Sequence, residues 1–140
     1  ALAEGIGEVL TPLPPAPRCA LLVAKPDIQV STKYVYEHLD AEKAWRHPDI
    51  DGMCSAIENG ELAGVTSRLG NVLETVTIEA YPVIARLKQE MLSCGAMGSL
   101  MSGSGPTVFG IYDSQEQARA AYDCLEKAGL ARELFVTSFV

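Results

Sequence analysis

The chain has 140 residues, 18 of them acidic against 11 basic, for a net charge of −7, and 48% of them are hydrophobic. That length suits one domain with a core of its own, and the apolar content excludes a disordered tail. The acidic balance argues against nucleic acid as a partner, since such proteins display a basic face, and no apolar run approaches the roughly 18 residues that a membrane span needs.

The opening stretch, ALAEGIGEVL, shows neither an initiator Met nor a basic-then-apolar signal pattern, which suggests a piece of something longer. The cluster Pro12-Leu13-Pro14-Pro15-Ala16-Pro17 reads as a stiff connector more readily than as a polyproline ligand. Cys19 to Ala24 is a compact apolar run closed by Lys25-Pro26, and its length and bounding prolines predict a buried strand over Arg18 to Ala24.

In VSTKYVYEHLDAEKAW, Ser31 and Thr32 are candidate N-caps, and Val35 and Leu39 at i, i+4 predict a helix that begins near Thr32. Ile50, Met53, Cys54 and Ile57 share one face of a second predicted helix that stops at Asn59-Gly60, and a short third segment carries Leu62, Val65 and Leu69. Helical spacing resumes from Leu73 to Cys94 with a break or restart at Pro82; Ile84, Leu87 and Met91 face inward and Gly95 closes the helix.

After Gly95 the period changes. AMGSLM and PTVFGIY predict two neighbouring strands joined by a tight glycine turn. Ser114 and Gln117 form a capping-box signature for the clearest helix, with Ala118, Ala121, Tyr122 and Leu125 as its buried stripe and Gly129 as its end. ARELFVTSFV finishes as a strand. The order of strand, several helices, two strands, helix and strand predicts an α+β domain, with helices packed on one face of a small antiparallel sheet.

Cys19, Cys54, Cys94 and Cys124 form no CxxC pair, so neither a zinc knuckle nor a dithiol motif is legible, and reduced thiols in apolar surroundings are expected. His38 and Glu42 at i, i+4 lack a third metal ligand and read as a solvated helix face, while His47 before Pro48 reads as a plain loop residue.

The stretch MSGSGPTVF raises the chemical question. Backbone N–H groups of a Ser-Gly-Ser-Gly turn can converge on an anion. Neither familiar phosphate fingerprint is met, because Pro106 follows Gly105 where a Walker loop needs lysine, and Val108 stands where a dinucleotide loop needs glycine. The residues alone leave a bare hairpin and an anion cradle both open.

GAMGSLMSGSGPTVFGIY resembles the C-terminal glycine motif of the GHMP small-molecule kinases, and AEGIGEVLTPLP, KPDIQVSTKYVY and GNVLETV are similar to stretches of that family in the same order. The resemblance implies a GHMP-kinase C-terminal domain of ferredoxin-like form over residues 18–140, with residues 1–17 as the connector from a missing N-terminal domain. It implies ATP and Mg²⁺ in the full-length, cytoplasmic enzyme. It also implies a small-molecule alcohol acceptor, a cytidine diphosphate derivative of methylerythritol, in isoprenoid synthesis. The family's phosphate loop and its acceptor-side Asp and Lys belong to the other half, so no catalytic residue is expected here and the fragment alone should be inactive.

By the same resemblance Ser102, Gly103, Ser104 and Gly105 border the triphosphate. Ser31, Thr32 and Tyr36 border the cytidine and methylerythritol pocket, with the Tyr36 ring stacked on the base. Glu37 stands where some members carry a basic residue, and Asn71 and Glu74, matching a family pattern, read as a helix cap or domain contact. The alternatives are another GHMP kinase, of homoserine or mevalonate type, and a free-standing α+β module that senses a small anionic or nucleotide ligand.

Overall fold

The computed structural model describes residues 1–40 and 48–139. At its start Leu2–Glu4 (β1) and Val9–Thr11 (β2) pair antiparallel as a two-stranded sheet of their own. The sequence reading treats this stretch as lead-in and misses the hairpin. Its side chains are almost all exposed, so no alternation of buried and exposed residues marks the strands.

Ala20–Lys25 (β3) is the expected first strand of the main sheet, begun two residues later than Arg18 because its ladder opens at the Ala20–Tyr112 pair. Among the described residues five helices follow: Thr32–Glu37 (α1), Ile50–Glu58 (α2), Leu62–Thr66 (α3), Glu74–Ala80 (α4) and Val83–Ser93 (α5). Pro82 does separate two helices, as its missing N–H and fixed φ require. Gly98–Met101 (β4) and Val108–Tyr112 (β5) flank the glycine turn, and Gln115–Ala128 (α6) leads to Glu133–Thr137 (β6). The Ser114 hydroxyl accepts the Gln117 N–H, which is the predicted cap of α6. Among the described residues no helix is long and apolar enough to cross a membrane.

The main sheet runs β4-β5-β3-β6 and every neighbouring pair is antiparallel. This is the ferredoxin-like arrangement, in which the first strand after the lead-in lies between the last two. Alternation along β3 sends Ala20, Leu22 and Ala24 beneath the helices, where they meet Val108 and Tyr112 of β5, Ile84, Leu87 and Met91 of α5, and Ala118, Ala121 and Leu125 of α6. Leu22, Ile84, Leu87 and Leu125 are fully buried, worth about 1.5–3 kcal/mol each relative to exposure. The helices therefore cover one face, as the element order predicts.

Two expectations need correction. The α2 stripe is only half covered, with Ile50 exposed and Ala56 the buried residue, because this helix packs against α3 at the periphery and not on the sheet. The reduced-thiol reading fails for one pair: Cys94, at the C-cap of α5, and Cys124, on α6, are joined as a disulfide with Cα atoms 6.8 Å apart. Their separation of 30 residues hides the pairing in the sequence, whereas the sheet lays the two helices side by side. Cys19 and Cys54 are free, and burial pushes the Cys19 thiol up from its ordinary pKa.

Candidate functional site

Strands β4 and β5 are paired from Gly98–Ile111 to Met101–Val108, so the chain must reverse across residues 102–107. The Ser102 N–H donates to the Thr107 carbonyl at 2.8 Å and the Gly105 N–H to the Ser102 carbonyl at 2.9 Å, closing the turn. Gly103 and Gly105 take φ values of +56° and +88°, a region that side-chain-bearing residues occupy only at a cost. The two glycines differ in their surroundings. A Cβ on Gly103 would meet nothing within 4 Å, but one on Gly105 would lie 2.8 Å from Met101 Sδ and 3.3 Å from Thr77 Cγ2. The Gly105–Pro106 peptide is cis.

Among the described residues, four side chains from distant parts of the chain hold this turn and the strand end before it. The Asn71 amide, ahead of α4, donates to the carbonyls of Met101 at 2.8 Å and Gly103 at 2.7 Å, while its oxygen accepts the Leu73 N–H at 3.0 Å. Thr77 of α4, fully buried, donates its hydroxyl to the Ser104 carbonyl at 3.1 Å, which satisfies a polar group that would otherwise cost about 1–3 kcal/mol to bury. Glu74 accepts the Met101 N–H at 2.7 Å and pairs with Lys88 of α5. The fourth is Thr32, first residue of α1, whose hydroxyl lies 2.9 Å from that of Ser104.

This last contact brings together the two stretches that the sequence singles out separately, the Ser31–Tyr36 segment and the Ser102–Gly105 turn. Ser31 acts as the N-cap of α1, its hydroxyl accepting the Tyr34 N–H at 3.3 Å. Tyr36 is 61% exposed, and its ring makes no ring contact or hydrogen bond among the described residues. Tyr34 instead stacks on His38 with centroids 3.9 Å apart, and His38 Nδ1 lies 2.8 Å from the Tyr34 carbonyl. Glu42 and His47 lie outside the described residues.

Two cavities flank α4. One of about 740 Å³ is bordered by Asn71, Glu74, Thr75, Arg68 and Asp49, the other of about 390 Å³ by Thr75, Glu79, Tyr34 and His38. The sequence reading passes over Asp49 and Arg68. Asp49 caps α2 through the Gly52 N–H at 3.0 Å and accepts Arg68 Nε at 2.9 Å, and these two, the backbone donor foremost, hold its carboxyl below the usual range. An Asp directly before an apolar helical run is a cap signal, but its Arg partner 19 positions on cannot be found that way.

Chemically, the turn offers donors and no acid. The N–H groups of Gly103 and Ser104 take part in no hydrogen bond among the described residues, which leaves them for an oxygen anion. Glu74, at the strand end before the turn, is committed to Lys88 and the Met101 N–H. The residues present thus fit a phosphate group and do not fit an Mg²⁺ ligand set.

A family model for the GHMP kinases, C terminal, matches residues 53–131. Two curated relatives named 4-diphosphocytidyl-2-C-methyl-D-erythritol kinase are similar over almost the whole chain. The one from Lachnoclostridium phytofermentans is 51% identical over 99% of this chain and 48% of its own length, and the one from Lachnospira eligens is 53% identical over 98% and 48%. A crystal structure of 4-(cytidine 5'-diphospho)-2C-methyl-D-erythritol kinase superposes with a TM-score of 0.79 at 28% identity, over 97% of this chain and 48% of that one. The chain spans about half the length of the curated relatives it matches.

Proposed function

The chain belongs to the GHMP kinases as their C-terminal part, and from that premise we propose that it is the acceptor-side half of a kinase. The whole enzyme would transfer the γ-phosphoryl group of ATP to a hydroxyl of 4-diphosphocytidyl-2-C-methyl-D-erythritol, in the cytoplasm, on the way to isoprenoids. The observation that carries this reading is identity of 51% and 53%, sustained over nearly every residue, with relatives of that name. Residues 18–140 form the domain and residues 1–17 connect it to the missing half. A match to half of each relative also weighs against a free-standing sensor.

Within that reading, phosphoryl transfer asks the protein chiefly for positioning and for stabilisation of charge. The turn Ser102-Gly103-Ser104-Gly105 forms one wall of the triphosphate site, with the Gly103 and Ser104 N–H groups as donors to a phosphate oxygen. Tyr36, exposed on α1, offers its face to the cytosine, while Ser31 and Thr32 lie beside it on the acceptor side. The Thr32–Ser104 hydrogen bond couples the acceptor segment to the phosphate wall, so that the two reactants share one frame. Mg²⁺ would balance charge on the nucleotide phosphates, its protein ligands supplied by the other half. No residue of this chain takes or gives the proton.

The test is an acceptor-dependent ADP-release assay on the complete reading frame and on this 140-residue chain. Release with the cytidine diphosphate acceptor by the former and none by the latter is expected. Turnover of homoserine or mevalonate in its place, or phosphorylation by this chain alone, would overturn the reading.

A further inference from the structure

We propose that Cys94 and Cys124 are a reversible modification site, a dithiol–disulfide couple that exchanges with small disulfides of the glutathione class and locks α5 to α6. Both cysteines are half-buried, so a small reagent can reach them. Each sits on its own helix, with Cα atoms 6.8 Å apart, within the span that a disulfide bridges.

The site is provided for in both oxidation states. Glu90 lies one turn before Cys94 on α5, and its Oε1 is 3.9 Å from Cys124 Sγ in the bonded pair, close enough to accept the S–H that Cys124 would carry once reduced. In the oxidised state Cys94 takes over as the partner. Cys19 and Cys54 have no such sulfur neighbour and remain free, which confines the couple to one pair.

The position gives the couple a consequence. Helix α5 carries Lys88, which holds the Glu74 carboxylate against the strand end before the glycine turn, and Met91, whose carbonyl accepts the Tyr112 hydroxyl at 3.3 Å. A bond at the end of α5 ties this support to α6, the helix on the other half of the sheet.

The exchange balances in two steps. The thiolate of one cysteine attacks a sulfur of oxidised glutathione, forming a mixed disulfide and expelling one glutathione thiolate; the second cysteine then attacks the protein sulfur of that bond and expels the other. The two protein thiols lose two electrons and two protons, and one oxidised glutathione becomes two reduced ones.

The experiment uses the full-length protein, incubated with oxidised glutathione, alkylated in denaturant and digested with trypsin. The peptides spanning residues 89–119 and 120–127, with one cysteine each, should be recovered linked and two hydrogens lighter than their sum. Dithiothreitol should return them separately, with Cys19 and Cys54 alkylated throughout. Oxidation should also raise the melting temperature by about 3 °C or more in the wild type and leave it unchanged in Cys124→Ser and Cys94→Ala. Separate, fully alkylated peptides after oxidant treatment, or a linkage that dithiothreitol does not open, would overturn the proposal, and the peptide map decides even if both variants fold poorly.

Discussion

Gly105→Ala and Gly103→Ala look alike in the sequence, yet they should differ markedly in stability. Both put a side chain at positive φ, +56° at Gly103 and +88° at Gly105, for which an L-residue gives up about 1–2 kcal/mol. At Gly103 that is the whole effect, since the new methyl meets nothing within 4 Å. At Gly105 the methyl would arrive 2.8 Å from Met101 Sδ and 3.3 Å from Thr77 Cγ2. Met101 and Thr77 are themselves fully buried, so they yield only by disturbing the core, and overpacking of this kind adds about 1–3 kcal/mol. The expected losses are about 1–2 kcal/mol for Gly103→Ala and about 2–5 kcal/mol for Gly105→Ala, read as shifts of the urea midpoint at unchanged m-value. Equal midpoints for the two variants would refute the reasoning, because strain at φ > 0 would then be the only cost and the contact with Met101 would count for nothing.

Three further outcomes are expected. Asn71→Ala removes two donated bonds, to Met101 and Gly103, and one accepted from Leu73, and should cost about 1.5–4 kcal/mol in urea unfolding; a loss below about 0.5 kcal/mol, the level of an ordinary surface substitution, would show that the turn holds itself. Burial pushes the Tyr112 phenol from 10.0 up to about 12, so its contribution is whole below pH 10 and is lost as the pH rises toward 12. That loss amounts to about 2–3 kcal/mol, and Tyr112→Phe should flatten the decline in urea-measured stability across that window. In the full-length enzyme, titration calorimetry with the cytidine diphosphate acceptor should give Tyr36→Phe unchanged affinity and Tyr36→Ala a loss of about 1–3 kcal/mol, with ATP binding unaltered; equal affinity for wild type and Tyr36→Ala would remove the stacking role.

What the sequence made legible was whatever repeats at short range. Ile84, Leu87 and Met91 at helical spacing, the Ser114 cap with its Gln117, and the alternation along Ala20–Ala24 all announce their burial within one or two turns of chain. The glycine turn was visible from its composition, although no spacing shows that Asn71, about 30 positions earlier, carries it. The Cys94–Cys124 bond and the Thr32–Ser104 contact were illegible for the same reason, since each joins elements that only the sheet order brings together. The β1–β2 hairpin escaped on other grounds: it buries almost nothing, and an exposed strand leaves no hydrophobic signature.

The place of β3 in the sheet also bears on how the molecule comes to be folded. β4, the turn, β5 and α6 are contiguous in the chain, and this segment can close on itself through short loops. β3 cannot do so. It must pair with β5 on one side and β6 on the other, and its Lys25–Glu133 contact spans 108 positions. Loop closure over that distance costs entropy before the pairing repays it, and mixed folds completed by such pairings form more slowly than helical bundles built on local contacts. The glycine turn therefore lies in the part whose contacts close through short loops, whereas the long-range step is the docking of β3, which joins β6, with no other ladder among the described residues, to β5. Without β3 the edge of β5 that it covers is unpaired and open to any other extended chain, and β6 has no ladder among the described residues.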